Sequence, residues 1–402
     1  MGNLFTVNHH STKTKSSSCL KMVQLLSLSS SIAALLLVSL GINDVAAATC
    51  VVNPTGGDDA SAIVKAFQTC KSGGTVSFPK GKNYKLNSMI EIEGLKNVKI
   101  DFQGQINLAP FDKKFKGGNA YIKIRGDNVH LSGGGTINGN GQAWYDLQDH
   151  TAPTVLRMMV TNSVFSNFKI INAPRAHMGV TNAKNLVIEG VTLNTASKSS
   201  KPPKNTDALD ISSSSGIIFR NSVLNIGDDC TAINGGVTNV TLSKITCNGG
   251  HGFSVGSLGK GGKDDSVRTV RVLDSVCNNC QNGVRVKTWP GGKGSVSDVL
   301  YRNVQLNNVE NPVIVTTHYC DKNQMSYCTK NADSSLSISG VTFDTITGSV
   351  TGKKPIVSID CSKKTPCSGF TLKNVNIKKA SNTPKNVCNN LNGSNKISYC
   401  SA

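Results

Sequence analysis

Long helical periodicity is missing from almost all of this 402-residue chain. Only the stretch from Asp59 to Lys71 predicts a helix, with Ala62, Ile63, Ala66 and Phe67 at helical spacing. Aromatic residues make up 5% and charged residues 17%, and there are only 12 prolines. Asn, Ser, Thr, Val and Gly are abundant instead, which favours strands and turns and excludes a helical bundle. No linker divides the chain beyond its N-terminal fifty residues. The Leu-x-x-Leu-x-Leu phrase of leucine-rich repeats is absent, and so is the tight four-strand period of a propeller. There is no DNA- or RNA-binding motif.

The N-terminus reads as a targeting segment. Lys13, Lys15 and Lys21 form a basic flank, an apolar run extends from Leu25 to Leu40, and Ala46-Ala47-Ala48 is a small-residue cleavage site. Met22 offers an alternative start that would give a signal of ordinary length. The apolar run is broken by serines and soon meets Asn43 and Asp44, so it is poor as a membrane span. The expectation is a signal peptide over 1–48, removed on secretion, and one domain over 49–402, extracellular and free of the membrane after cleavage.

Thirteen cysteines become an even set once Cys19 leaves with that leader. An even count in a secreted chain reads as disulfides. Sequence neighbours suggest Cys50 with Cys70, Cys230 with Cys247, Cys320 with Cys328, Cys361 with Cys367 and Cys388 with Cys400. Cys277 and Cys280 remain as a CxxC, but no thioredoxin-like βαβ unit surrounds them and no second ligand pair at zinc spacing is apparent. Asn239-Val-Thr and Asn392-Gly-Ser are glycosylation acceptors. The formal charge of +19 favours a polyanionic partner. Secretion points to an acidic polysaccharide rather than nucleic acid.

What the chain does have is a repeated phrase: a turn residue, a short β-branched run, a polar gap and a second run. Its second positions are Val98, Val129, Val164, Leu186, Ile217, Val240, Val270, Val299, Leu336 and Phe370, at steps of 22 to 37 residues. Such a period means stacked units that cannot bury their apolar faces alone. The pattern predicts an all-β right-handed parallel β-helix, a solenoid whose coils stack at ~4.8 Å, with the short helix near residue 60 capping its N-terminal end.

In a solenoid, one coil of sequence becomes one strand spacing. Asn205-Thr-Asp207, Gly227-Asp228-Asp229, Gly250-His251-Gly252, Arg285-Val-Lys287 and Tyr319 follow one another at 21 to 34 residues. They are therefore expected in one row on one outer face. Carboxylates ~5 Å apart push one proton affinity upward, which supplies the acid and base that glycoside hydrolysis requires. Alternate residues Arg285 and Lys287 point out together and suit a uronate carboxylate. Singly, each motif is a commonplace turn or solvated surface; the inference rests on their falling in phase.

Those four motifs, in that order, resemble the signatures of the polygalacturonases, glycoside hydrolase family 28, and the resemblance runs from about Cys50 to Cys400. It implies inverting hydrolysis of α-1,4-galacturonan without metal or cofactor, by an enzyme acting as a monomer on pectin. Asp228 resembles the general acid, Asp207 and Asp229 the pair that activates water, and His251 the histidine supporting the acid. Arg285 and Lys287 resemble the carboxylate binders, Tyr319 a substrate-contacting tyrosine, and Asn205 a residue that orients neighbours or contacts sugar. Ala208 stands where many members have Gly, and Thr231-Ala-Ile-Asn234 where many keep Lys or Gly. The segment Gly133 to Trp144, with Cys247 to Gly262, leans toward fungal members including exo-acting ones. Exo action is favoured over endo. The inverting route calls for ~6.5–9.5 Å between acid and base carboxyls. The rivals are a pectate lyase, a rhamnogalacturonan hydrolase and a pectin-binding solenoid without catalysis.

Overall fold

Residues 48–400 are described by the computed structural model; the expected leader lies outside the described residues, save Ala48. Twenty-five strands form a parallel β-helix, in which each coil lays a short strand on its predecessor along three ladders. In one ladder Leu186, Ile217, Val240, Val270, Val299 and Val341 are successive partners. In the second, Leu193, Leu224, Cys247, Cys277 and Leu306 stack in the same way. The third ladder carries Arg157, Gly179, Asp210, Ala232, Ser254, Arg285 and Ile314 as successive partners. All pairings are parallel, so identical points of successive coils meet and the interior fills with aliphatic stacks.

The turn residue of the repeated phrase has a definite backbone reason. Asn97, Asn128, Asn185 and Asn239 sit at φ of 55°, 52°, 54° and 56°. This left-handed corner favours Asn and Gly over other residues. Thr269, at φ 59°, is β-branched and costly there; its hydroxyl donates to Asp298 at 2.8 Å across the coils. Below the corners the coils are further tied by amide ladders, such as Asn307 to Asn278 to Asn248 to Asn225, each at 2.8 Å.

Two of the ten repeat positions fall out of phase. Ser163, not Val164, is the partner of Leu186, and Asn162 makes the corner at φ 48°. Ser163 is buried, donating to the Thr161 carbonyl at 2.6 Å and accepting from the Val129 amide at 3.0 Å. Ser214, Ser222 and Ser275 repeat this arrangement, each satisfying its hydroxyl within its own coil and the one before. Likewise Val341, not Leu336, follows Val299. The coil between them contains a long excursion with the helix Met325–Lys330, which displaces the phase.

The predicted helix forms over Ala60–Thr69 and buries Ile63, Ala66 and Phe67. Phe67 packs on Phe78 at 6.3 Å between ring centres, closing the N-terminal end of the core. All five expected disulfides are present, and Cys277 pairs with Cys280. Cys230 Sγ and Cys277 Sγ of neighbouring bridges are 3.8 Å apart. Among the described residues no helix is long and apolar enough to cross a membrane. Asn239 and Asn392 are exposed.

Candidate active site

Site residues lie on or just before the third ladder. Strand Leu209–Ser212 pairs with Thr231–Ile233, then Phe253–Leu258, then Asn282–Thr288. Asp207, Asp228–Asp229 and His251 occupy the turns entering the first three, while Arg285 and Lys287 are within the fourth. The two cations are thus further along their coil than the acids. Their length closes the gap. Arg285 donates from Nε to Ser254 Oγ at 2.9 Å, one coil back, and from its terminal nitrogen to Asp229 Oδ1, two coils back. Lys287 Nζ donates to Asp229 Oδ2 at 2.7 Å.

Asp229 is the hub. Only 2% exposed, it accepts from Arg285, Lys287 and, at 3.1 Å, the Ser254 hydroxyl. Arg285 and Lys287 are themselves 8% and 7% exposed. The ammonium of Lys287 also faces the ring of Tyr319 at 5.2 Å, and Tyr319 packs edge-on against Trp289 at 5.7 Å. The Tyr301 hydroxyl donates to the Arg285 carbonyl at 2.9 Å, fixing the strand from inside the core.

Asp228 faces the other way. Its Oδ1 is 3.0 Å from His251 Nδ1 and accepts from the Asp229 amide at 2.9 Å. Its Oδ2 accepts from the Asn205 amide at 3.1 Å. Burial pushes this carboxyl up, but the hydrogen bond and charge of His251, Lys287 and the Asn205 amide outweigh it and hold it below the ordinary range. The raised carboxyl is Asp207 instead. Burial, then the charges of Asp210, Asp228 and Asp229, push it well above its usual value against the pull of Lys287. Asp210 is pushed up to about 6, by burial and by Asp229.

Asp228, Asp229 and His251 each bring one donor atom within 4.8 Å of the others. Both oxygens of Asp229 are already committed to cations, so the trio is not a free ligand set. The same distance places Asp228 and Asp229 closer than ~6.5–9.5 Å, the spacing expected of an inverting acid and base.

A polar cleft of 380 Å³ opens beside these groups, lined by Asp207, Asp210, Asp229, Lys287, Asn205, Arg157 and Arg175 among others. Sequence reasoning did not single out Arg157, Arg175 or His177. His177 is fully buried; its Nδ1 meets the Asp207 carbonyl at 2.9 Å and its Nε2 the Thr195 hydroxyl at 2.8 Å. Burial lowers its proton affinity to about 4, so a neutral imidazole pins the Asp207 turn. Arg175-Ala-His177 precedes Asp207 by one coil, and the ladder spacing alone would have flagged it.

Bracing loops flank the cleft. On the N-terminal side, loop 195–206 is fastened to the helix Gln142–Asp146: the Lys198 amide donates to Gln142 at 2.9 Å and Ser199 donates to Asp146 at 2.7 Å. On the C-terminal side Lys260 pairs with Asp321 at 2.7 Å and lies over Trp289.

Comparisons with known proteins accord with this geometry. The family model "Glycosyl hydrolases family 28" matches residues 70–400. The chain is 60% identical over 384 residues to exopolygalacturonase rpg13 of Rhizopus delemar, covering 95% of this chain and all of that one. It is 32% identical to the exopolygalacturonase of Cochliobolus carbonum, covering 86% of this chain and 84% of that one. Among solved structures, the endo-xylogalacturonan hydrolase of Aspergillus tubingensis superposes with a TM-score of 0.77 at 28% identity, covering 86% of this chain and 97% of that one. Sequence motifs, coil register and a match across most of the chain agree: the protein belongs to glycoside hydrolase family 28.

Proposed function

We propose that this chain is a secreted exopolygalacturonase that hydrolyses α-1,4-galacturonosyl linkages of pectin with inversion, the signal peptide 1–48 being removed from a single catalytic domain, 49–402. One observation carries the mechanism: a carboxyl paired with a histidine, Asp228 with His251, lies one coil from Asp207 and its charge helps to raise the proton affinity of that cleft-lining carboxyl.

The Asp228–His251 pair holds one transferable proton. Because Asp228 is held below its ordinary range, that proton is off the carboxyl in open solvent. A sugar ring laid over the site removes water, which disfavours the separated charges and moves the proton onto Asp228. Asp228 then protonates the glycosidic oxygen, and the bond from that oxygen to the anomeric carbon breaks. Water attacks the carbon from the opposite face and gives its proton to Asp207. Once ionised, a buried carboxylate is a stronger base than a solvated one, which suits Asp207 to this step. Asp229 lies close to Asp228 and has its oxygens taken; it acts through its charge and through the two cations it holds. Arg285 and Lys287 offer their remaining donors to a galacturonate carboxylate, and Tyr319 offers a ring face to the sugar. Asn205 orients Asp228.

Exo action is supported by the names of the relatives at high identity and by the braced loops at both sides of the cleft. A reducing-end assay on polygalacturonate, with chromatographic sizing of early products, tests the reading. Galacturonate appearing alone from the first minutes is expected; mixed oligomers mean endo action, and an unsaturated product means a lyase.

A further inference from the structure

Arg285 and Lys287 are largely consumed by Asp229, which raises the question of which cations in the cleft are free. Two are. Arg157 and Arg175 both line it, and among the described residues neither has a carboxylate within ion-pair distance. Arg157 belongs to the same ladder as the site, two coils before Asp210. The residue between them is Gly179. A Cβ there would lie 3.0 Å from one guanidinium nitrogen and 3.1 Å from the guanidinium carbon. The missing side chain lets Arg157 lie flat along the ladder toward the acids. Thr181 and Thr154 hold two of its nitrogens at 2.9 Å and 3.2 Å, while its buried Nε has no partner.

Arg175 comes from the turn just before strand Met178–Thr181 and makes no hydrogen bond among the described residues. Burial and then the like charge of Arg175 lower the proton affinity of Arg157, so the two guanidiniums repel each other. The counter-charge they both feel is Asp210, whose own carboxyl is driven toward its neutral form. Two like charges facing one cleft, Arg175 without a hydrogen-bond partner among the described residues and Arg157 with its Nε unfilled, make a receptor for an anion that the protein does not itself supply.

We propose that Arg175 and Arg157 form a second carboxylate-binding subsite, on the N-terminal side of the acidic cluster, which selects a uronate over a neutral sugar next to the reacting unit. Arg175 is the specificity residue and Arg157, held by its threonines, is the fixed wall of the subsite. The assignment rests on the polygalacturonase reading, and the two fail separately. Wild-type enzyme releasing no sugar from polygalacturonate removes the reading itself.

The subsite is tested by calorimetric binding in an Asp228→Asn background, which avoids turnover, with trigalacturonate and its methyl ester as probes. Adding Arg175→Gln is expected to weaken trigalacturonate binding roughly tenfold, the value of one charged hydrogen bond, and to leave the methyl ester unchanged. Arg175→Lys restores part of the loss. Because Arg175 makes no hydrogen bond or ion pair among the described residues, the variant is expected to keep its unfolding temperature. Unchanged trigalacturonate affinity, or equal weakening of both ligands, overturns the proposal.

Discussion

Lys287 reaches back over two coils to set its ammonium 2.7 Å from Asp229 Oδ2. That pair is the keystone of the cleft, because it brings a cation from one coil and an anion from another into a dry site with no slack. The carboxylate also receives Arg285, so three charges are buried together with only Ser254 as an uncharged partner.

Removing Asp229 strands two buried cations. Asp229→Asn is expected to cost about 3–5 kcal/mol in unfolding free energy, as for other buried pairs broken on one side. Denaturant unfolding checks this; a loss under about 1 kcal/mol would mean that water reaches Arg285 and Lys287 more freely than their burial shows.

Asp228→Asn is expected to lower kcat on polygalacturonate by at least ~10²–10⁴, the range for general acid–base groups, with circular dichroism and unfolding midpoint unchanged. His251→Ala is expected to lower kcat less, since Asp228 remains in place and can draw its proton from solvent. Retained turnover in Asp228→Asn would reject the acid assignment.

The two carboxyls are tuned in crossed directions, Asp207 upward and Asp228 downward. The active form needs Asp207 ionised while the Asp228–His251 pair still holds its proton. The acidic limb of the kcat/KM profile then belongs to Asp207 and the basic limb to the pair. Asp210→Asn removes a charge that raises Asp207 and is expected to move the acidic limb down by roughly 0.5–1 pH unit. A limb that stays in place or rises contradicts this assignment.

Stability follows the same groups. Asp210 has its proton affinity raised in the fold from 3.8 to about 6. The folded state therefore holds that proton more tightly, and this contribution is complete below the ordinary value of 3.8 and lost as pH rises through about 6. Asp210→Asn is expected to flatten the fall in unfolding free energy between those limits. Urea titrations at both ends of the window check the slope, and an unchanged slope in the variant refutes it.

The Cys230–Cys247 bridge begins one residue after Asp229 and spans 17 residues, whereas Cys320–Cys328 spans 8. Replacing the first pair by Ala is expected to cost about 3 kcal/mol and to lower kcat. Replacing the second is expected to cost less, because its loop is shorter. Paired unfolding and rate measurements check the order.

Much of this architecture was legible in the chain because a solenoid converts sequence period directly into distance. The corner residues Asn97, Asn128, Asn185 and Asn239 and the core positions after them could be read from spacing, as could the disulfides between neighbours. The phase slipped at Ser163, where a self-satisfied hydroxyl replaces an aliphatic, and at Leu336, where the excursion through Met325–Lys330 lengthens a coil. At the site, the motifs located Asp207, Asp228, Asp229, His251, Arg285 and Lys287. They did not reveal that the two cations are spent on Asp229, or that the raised carboxyl is Asp207. Both depend on side-chain length and burial, which spacing does not encode. Arg157 has no acidic motif beside it in sequence, whereas Arg175 lies one coil before Asp207 and the ladder spacing could have found it.

Proton NMR of nascent sugar during digestion of polygalacturonate probes the proposed chemistry most directly. Single displacement by water held at Asp207 predicts that β-galacturonate appears first and mutarotates to the α form. Galacturonate appearing first as the α anomer would require a covalent double displacement, and would contradict the division of roles between Asp228 and Asp207.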